Sequence, residues 1–234
     1  MLTLSCSGRC STISRQEEAI VRTRATKVIA LTLGAALLLI APPAFAKEKT
    51  GVTKLTPKTV ELKTDMRDLW VGHIFWVRDV VLSTKYGDTA AAKVAEGKVV
   101  ENAKAIAGAI APLYGKKAGD RLFGLLVGHY GAVKEYMTTA FAGDAAGKSA
   151  AVEKLKKNAE DIATFLSSAN PNWSKQTVLG LLMAHGGHHI AQIDQVKSKD
   201  YSAEARTWDN MRKHIYRLAD ALTDGIVKQF PKKF

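Results

Sequence analysis

Hydrophobic residues recur along this chain with the period of an α-helix. Between residues 57 and 230 the apolar positions follow a spacing close to 3.6 residues, and no long stretch alternates apolar with polar residues. Glycine, asparagine, proline or aspartate interrupts the pattern at five places, where one helix is expected to end and the next to be capped. The pattern therefore predicts six helices, at residues 57–84, 89–111, 116–142, 145–169, 174–197 and 203–230.

The first, third and fifth predicted helices share one apolar stripe with the same steps between its members. Three residue types recur in these helices or their turns at a spacing of 56: His73, His129 and His185; Leu69, Leu125 and Leu181; Asp88, Asp144 and Asp200. The second, fourth and sixth helices carry another stripe that repeats at the same spacing. Because a fixed period indicates a copied supersecondary unit, we predict an all-α six-helix bundle built from three antiparallel helical hairpins repeated every 56 residues.

A polar residue in the second helix of each hairpin lies as far from the turn as the histidine in the first helix. Positions equidistant from the turn face each other, because both helices rise by about 1.5 Å per residue. The sequence therefore predicts three polar pairs at one level of the core: His73 with Asn102, His129 with Asn158, and His185 with His214. These six residues either fix helix register as hydrogen-bonded core groups or line a ligand site.

The fifth helix is richer in polar residues than its counterparts. At spacings i, i+3, i+4 and i+7 it carries His185, His188, His189 and Gln192. Neutral imidazoles at i and i+4 can bind one transition-metal ion, and imidazole ligands suit Zn, Cu or Ni. This set is one candidate metal site. The other is a three-histidine site on the bundle axis, formed by His73, His129 and His185 if the hairpins converge.

Two glycines next to His185 bear on the choice between these hypotheses. Gly186 and Gly187 each cost a helix about 1 kcal/mol relative to alanine, which suggests that space is needed there. A ligand-binding protein would have a cavity beside them with ring nitrogens directed into it. An enzyme would need a cavity open to solvent and a carboxylate within reach, whereas a purely structural protein would have no cavity.

The N-terminal region has the pattern of a secretory signal peptide. An apolar run at residues 28–40 follows three basic residues and precedes Ala44-Phe45-Ala46, a typical cleavage site. We predict a signal peptide at residues 1–46, with residues 1–20 an upstream extension of the true start, and a single helical domain at residues 47–234. The protein is then periplasmic or secreted, with no transmembrane segment in its mature part.

Composition narrows the chemistry of the mature region. Both cysteines, Cys6 and Cys10, precede residue 47, which excludes disulfides, thiol catalysis and cysteine–zinc sites there. Residues 47–234 carry a net charge of about +9, because the first 46 residues hold five Arg or Lys and two Glu. The basic residues are scattered, so they form either a solvated surface or a surface for an anionic envelope component such as lipid or cell-wall polymer. The sequence has no basic stripe of the kind that binds nucleic acid, so we do not expect a nucleic-acid partner.

Aromatic residues and an arginine gather on the first helix, at Trp70, Phe75, Trp76 and Arg78. We interpret them as core packing around an arginine whose charged end reaches solvent; an aromatic ligand pocket is the alternative.

Four stretches of sequence resemble a family of short all-helical bacterial proteins of unassigned function: LWVGHIFWVRDVVLS at 69–83, IAPLYGKKAGDRLFGLLVGHY at 110–130, KNAEDIATFLSSANPNWS at 157–174 and DALTDGIVKQF at 220–230. The resemblance implies an all-helical fold and no particular mechanism.

Three classes of function follow from these observations. The leading hypothesis is a non-enzymatic, exported binding protein whose histidine-rich polar level holds an unknown small ligand. The second is a metal-dependent enzyme that uses His185 and the neighbouring histidines. The third is a structural protein associated with the cell envelope.

Overall fold

The structure, a computed structural model, describes residues 55–234, and these residues are all-α, with no strand. The signal peptide predicted at residues 1–46 lies outside the described part of the chain. The six helices are α1 (Pro57–Tyr86), α2 (Thr89–Tyr114), α3 (Lys116–Ala142), α4 (Ala145–Ala169), α5 (Lys175–Ser198) and α6 (Tyr201–Gln229). All twelve helix ends lie within three residues of the predicted positions.

The turns after α1, α3 and α5 are built alike. Each helix ends at a residue with positive φ: Gly87 (77°), Gly143 (78°) and Lys199 (62°). The aspartate that follows caps the next helix by accepting a hydrogen bond of 2.9 Å from a backbone N–H: Asp88, Asp144 and Asp200. Glycine takes the left-handed conformation without steric cost, and aspartate satisfies an unpaired N–H of the next helix. These two local effects explain why the helix ends were predictable.

The end of α2 differs from the prediction, because the helix continues through Pro112 to Tyr114. Proline has no N–H to donate to the carbonyl four residues earlier, which belongs to Gly108. Gly108 is exposed, so water can satisfy the freed carbonyl and the helix need not stop at residue 111. Gly115 ends α2 instead, with a φ of 89° and an N–H that donates to the Ala111 carbonyl at 2.8 Å.

Each helix packs against its neighbours in sequence, and α1 also packs against α6. The odd-numbered helices α1, α3 and α5 contact one another as well, so they supply the interior of the bundle. Among residues 55–234, no helix has the length and apolar character needed to cross a membrane.

The apolar core forms two separate clusters along the bundle. On α1, His73 lies between Trp70, in the first cluster, and Val77, in the second. His129 on α3 and His185 on α5 occupy equivalent places between the clusters. The fold therefore places a layer of histidine between the two apolar clusters.

Candidate metal centre

Four histidines from three helices meet in this layer: His73 from α1, His129 from α3, and His185 and His189 from α5. We call these four residues the histidine cluster. The ring centroids of the first three form a triangle with sides of 5.5, 5.5 and 6.1 Å, and the fourth ring lies 4.5–6.2 Å from the others. All four side chains are buried, with at most 4% of each residue exposed.

The nitrogens of the histidine cluster are close enough to share one ion. One ring nitrogen from each residue can be chosen so that all four lie within 4.8 Å of one another. His185 Nε2 and His189 Nε2 are 3.2 Å apart. Two imidazole nitrogens bound to one tetrahedral Zn²⁺ are about 3.3 Å apart, given bonds of about 2.0–2.1 Å. The pair on α5 is therefore near ligand spacing already, whereas nitrogens up to 4.8 Å apart elsewhere in the cluster would have to move inward by as much as about 1.5 Å.

Most ring nitrogens of the cluster have no hydrogen-bond partner among the described residues. The unpartnered atoms are both nitrogens of His73, both of His129, and Nδ1 of His185. Buried polar atoms are nearly always hydrogen-bonded, because losing water without a replacement costs about 1–3 kcal/mol per group. Five unpartnered atoms thus lie in one layer, where they remain available to an added ligand such as water or an ion.

The cluster also holds its histidines in the protonation state that metal binding requires. Burial, with a smaller contribution from His129, lowers the pKa of His73 to about 3. Burial lowers the pKa of His129 to about 4, and the nearby Asn158 amide opposes part of this shift. Burial and the neighbouring histidines place the pKa values of His185 and His189 well below the ordinary range. All four rings are neutral near pH 7, as ligands must be.

Among residues 55–234, no hydrogen bond of good geometry joins the polar pairs predicted from hairpin geometry, although the Asn158 amide lies near enough to His129 to raise its pKa. Asn102 donates instead to the backbone carbonyl of Leu69 at 2.9 Å, and Asn158 to that of Leu125 at 3.0 Å. The predicted heights are right, but each amide reaches the neighbouring helix backbone rather than the ring. Gly72 makes this possible in α1, since a Cβ there would lie 3.1 Å from the Asn102 amide nitrogen.

The third predicted pair, His185 with His214, is absent for a similar reason. His214 Nε2 lies 2.9 Å from the backbone carbonyl of Leu181, and its ring centroid is 5.4 Å from that of His188. His188 thus faces α6 rather than the histidine cluster. Of the metal set predicted on α5, the structure brings His185 and His189 together and leaves His188 outside.

Gln192, the remaining member of that predicted set, belongs to a different network. Its Nε2 donates to Glu204 Oε1 at 3.0 Å. Arg78 binds the same carboxylate through two bonds, from Nε at 2.6 Å and from Nη2 at 2.7 Å. The Arg78 bonds hold the pKa of Glu204 below its usual value, despite burial. Arg78 therefore forms an ion pair with a buried acid. It also lies near aromatic residues, with its Cζ atom 5.2 Å from the Trp208 ring centroid.

Glu204 was not identified from the sequence. It lies in the first turn of α6, where an acidic residue is ordinary because it favours the helix dipole. Nothing in its local sequence distinguishes a buried carboxylate from an exposed one. The available signal was Arg78 itself, which follows the buried Val77 on α1 and could pair with an acid on a neighbouring helix.

A cavity of about 110 Å³ does lie beside Gly186 and Gly187, as the binding hypothesis predicted. However, its walls are apolar apart from Lys156, and no histidine lines it. A Cβ at Gly186 would lie 3.1 Å from a methyl carbon of Leu155. This glycine therefore lets α4 and α5 pack closely, and the ring nitrogens point elsewhere.

Comparisons with protein-family models, with curated proteins and with solved structures return no match for this chain. The resemblance to short helical bacterial proteins thus stays a prediction.

Proposed function

We propose that this protein binds one transition-metal ion, with Zn, Cu and Ni as candidates, at His73, His129, His185 and His189. The observation that carries this proposal is a set of four buried imidazoles, from which one nitrogen each can be chosen so that the four lie within 4.8 Å of one another. Five of the eight ring nitrogens have no partner among the described residues. Imidazole is a good ligand for each of these metals. A bound ion would take up lone pairs that otherwise face each other in an apolar interior.

The surroundings favour metal binding over metal catalysis. Structural zinc sites have four protein ligands, whereas catalytic sites have three and keep one position open for water or substrate. The histidine cluster supplies four ligands and is closed to solvent. Both oxygens of the nearest buried carboxylate, Glu204, are bound to Arg78, so this group is not free to act as a base. We therefore propose a non-enzymatic binding protein.

The proposal includes an architecture of three antiparallel hairpins, α1–α2, α3–α4 and α5–α6, that repeat every 56 residues. Three side-chain bonds support it, because each joins the second helix of a hairpin to the first across 33 residues. They come from Asn102, Asn158 and His214. Each hairpin then supplies one histidine to the layer, and the third supplies His189 as well.

The proposed compartment is the periplasm or the outside of the cell, on the pattern of residues 1–46 alone. In that compartment the protein would meet metal ions that cytoplasmic sites do not sequester. A centre made only of histidine needs no reduced thiol, which suits an oxidising compartment.

Elemental mass spectrometry of the processed protein from its native host tests the proposal. We expect about one Zn, Cu or Ni per chain in the wild type, and none in a His185→Ala variant that keeps its helical circular dichroism. His188→Ala is the matched control, since it removes a histidine of the same helix outside the cluster, and it should keep its metal. A wild-type protein that is metal-free and takes up none of these ions on dialysis would overturn the proposal.

A further inference from the structure

The four rings of the histidine cluster are arranged as a tetrahedron rather than in a plane. The six distances between their centroids range from 4.5 to 6.2 Å. Imidazoles bound to one ion have their ring centres about 3.2 Å from it, so all six distances would be about 5.2 Å in a tetrahedron. A square plane would instead give four distances of about 4.5 Å and two diagonals of about 6.4 Å. The two longest distances observed, 6.1 and 6.2 Å, both involve His129, whereas the diagonals of a square share no corner.

The ring of His189 stands out of the plane of the other three because of its place on α5. His73, His129 and His185 form a base, with centroid distances of 5.5, 5.5 and 6.1 Å. His189 follows His185 by four residues, which is about 6 Å along a helix, in the direction of the second apolar cluster. The six distances place its ring about 4 Å out of the base plane, which is the height of a tetrahedron with edges of about 5.2 Å. The placement of the histidines on three helices therefore sets a tetrahedral arrangement.

The histidine cluster offers one nitrogen from each of four rings and little room for anything else. Among residues 55–234, no cysteine, carboxylate or fifth histidine joins the group. Each of the four residues is at most 4% exposed, and none of them lines the cavity beside Gly186. An ion that needs six ligands would have to bring water into this buried layer. An ion that needs four would have its full set of ligands from the protein.

The geometry points to a site that selects the ions which accept four nitrogens in a tetrahedron, Zn²⁺ and Cu⁺, over Ni²⁺. Both favoured ions have a filled d shell, so no electronic preference opposes a tetrahedron. Ni²⁺ prefers a square-planar or tetragonal set of ligands. The cluster could offer such a set only if the ring of His189 moved into the base plane. This inference rests on the metal-binding function proposed above and narrows its three candidate metals.

Cobalt reports the coordination geometry on the metal-free processed protein. Co²⁺ can occupy zinc sites, and its visible absorption is strong in a tetrahedral site and weak in an octahedral one. We expect strong tetrahedral bands that saturate at about one Co²⁺ per chain and disappear when Zn²⁺ is added. The wild-type protein alone gives this result, so it does not depend on whether any variant folds.

Competition between Zn²⁺ and Ni²⁺, each buffered by a chelator of known affinity, measures the selectivity. We expect Zn²⁺ to bind at least about tenfold more tightly than Ni²⁺. The Irving–Williams order places both ions below Cu²⁺ and does not by itself favour Zn²⁺ over Ni²⁺, so such a preference reports the geometry of the site. Cu⁺, supplied under argon from a copper(I) chelator, should likewise displace Ni²⁺. Direct competition between Zn²⁺ and Cu⁺ then names the ion that the site prefers.

Two variants on α5 test whether His189 supplies the fourth ligand. His189→Ala removes the ring above the base plane, so it should change the Co²⁺ bands and weaken Co²⁺ binding by about tenfold or more. Loss of a partner outside the ligand set alone already costs about 10- to 100-fold in metal affinity. His188→Ala is the matched control, because its ring faces His214 on α6, and it should leave both the bands and the affinity unchanged. Circular dichroism checks that both variants keep their helices.

Three results would overturn this inference and leave metal binding itself intact. They are a bound Co²⁺ with the weak absorption of an octahedral site, Ni²⁺ that binds as tightly as Zn²⁺, and a His189→Ala variant with unchanged Co²⁺ bands. A protein that binds none of these ions would instead overturn the proposed function, and the inference with it. The failure of the selectivity and the failure of the function are therefore distinguishable.

Discussion

Two buried polar groups lie side by side in this bundle, and they are satisfied in opposite ways. Glu204 is bound by Arg78 through two hydrogen bonds and by Gln192 through a third. On α5, Gln192 lies one helical turn after His189 of the histidine cluster, in which five ring nitrogens have no partner among residues 55–234. A buried group that the fold satisfies is explained by the fold, whereas a group left unsatisfied needs something from outside. This difference separates the structural network from the candidate site.

The same difference is why we propose metal binding at the neutral rings rather than at the acid. Glu204 carries a charge that Arg78 already compensates, and an ion placed there would compete with the guanidinium. The histidine cluster carries no charge and has unused lone pairs, which are the acceptors that a metal ion needs. The two sites are thus alike in burial and differ in what they can still bind.

The largest expected effect is on the pH dependence of the metal-free protein. The pKa values of His73 and His129 are lowered to about 3 and about 4, and those of His185 and His189 also lie well below 6.5. As the pH falls below about 6.5, the unfolded chain takes up protons that the folded chain refuses. The free energy of unfolding should therefore fall by up to about 1.4 kcal/mol per pH unit for each histidine, until the pH passes the folded-state values.

Urea unfolding at pH 7.5, 6.5 and 5.5, after chelation, measures this loss. It should amount to roughly 4 kcal/mol between pH 6.5 and 5.5 if all four histidines contribute fully, because the unfolded rings are only partly protonated at the start of this range. At pH 5.5, a His129→Leu variant should take up about one proton fewer on unfolding than the wild type does. A stability that stays flat between pH 7.5 and 5.5 would show that the four rings are not held neutral by burial.

The next largest effect is expected at the satisfied network. Arg78→Ala leaves the Glu204 carboxylate buried without its counter-charge, and breaking a buried ion pair in this way costs about 3–5 kcal/mol. We expect about 3 kcal/mol, at the lower end, because 31% of the Arg78 side chain is exposed. Thermal and urea unfolding at pH 7.5 measure the change.

The double variant Arg78→Met with Glu204→Met is the control for this prediction. Removing both charges together should restore most of the lost stability, since an apolar pair of similar size often replaces a buried ion pair without cost. If the single variant loses less than about 1 kcal/mol, the network is not the structural element proposed here.

The sequence predicted the helices well because their ends depend on local effects, such as the glycine and aspartate of each turn. It also predicted that His73, His129 and His185 share one level, because their spacing along equal helices sets equal heights. It misplaced His188 for a geometric reason. At about 100° per residue, positions 188 and 189 both flank position 185, on opposite sides. Only the packing of α5 decides which of them faces the interior.

The glycines and the amides show a second limit of sequence analysis. Gly186 has no side chain, so Leu155 can approach α5 closely, but the same residue would also suit a ligand. Asn102 lies at the predicted height, but its choice between a ring nitrogen and a backbone carbonyl depends on side-chain reach across a specific helix crossing. Both outcomes depend on distances of a few tenths of an ångström, which spacing along the chain does not contain.

The smallest expected effects give the most direct test of the comparison. His129→Leu replaces an unpartnered buried ring with an apolar side chain, so the metal-free protein at pH 7.5 should keep its stability or gain about 1 kcal/mol. Gln192→Leu makes the same kind of replacement in the satisfied network and should cost about 1.5 kcal/mol, because it removes a hydrogen bond to the charged Glu204. The two variants introduce the same residue into the same core and should change stability in opposite directions.

Saturating Zn²⁺ should then stabilise the wild type and Gln192→Leu, by about 2.7 kcal/mol at one hundred times Kd, but not His129→Leu. If His129→Leu is as destabilising as Gln192→Leu and Zn²⁺ stabilises both equally, the histidine layer is an ordinary part of the core and not a metal site.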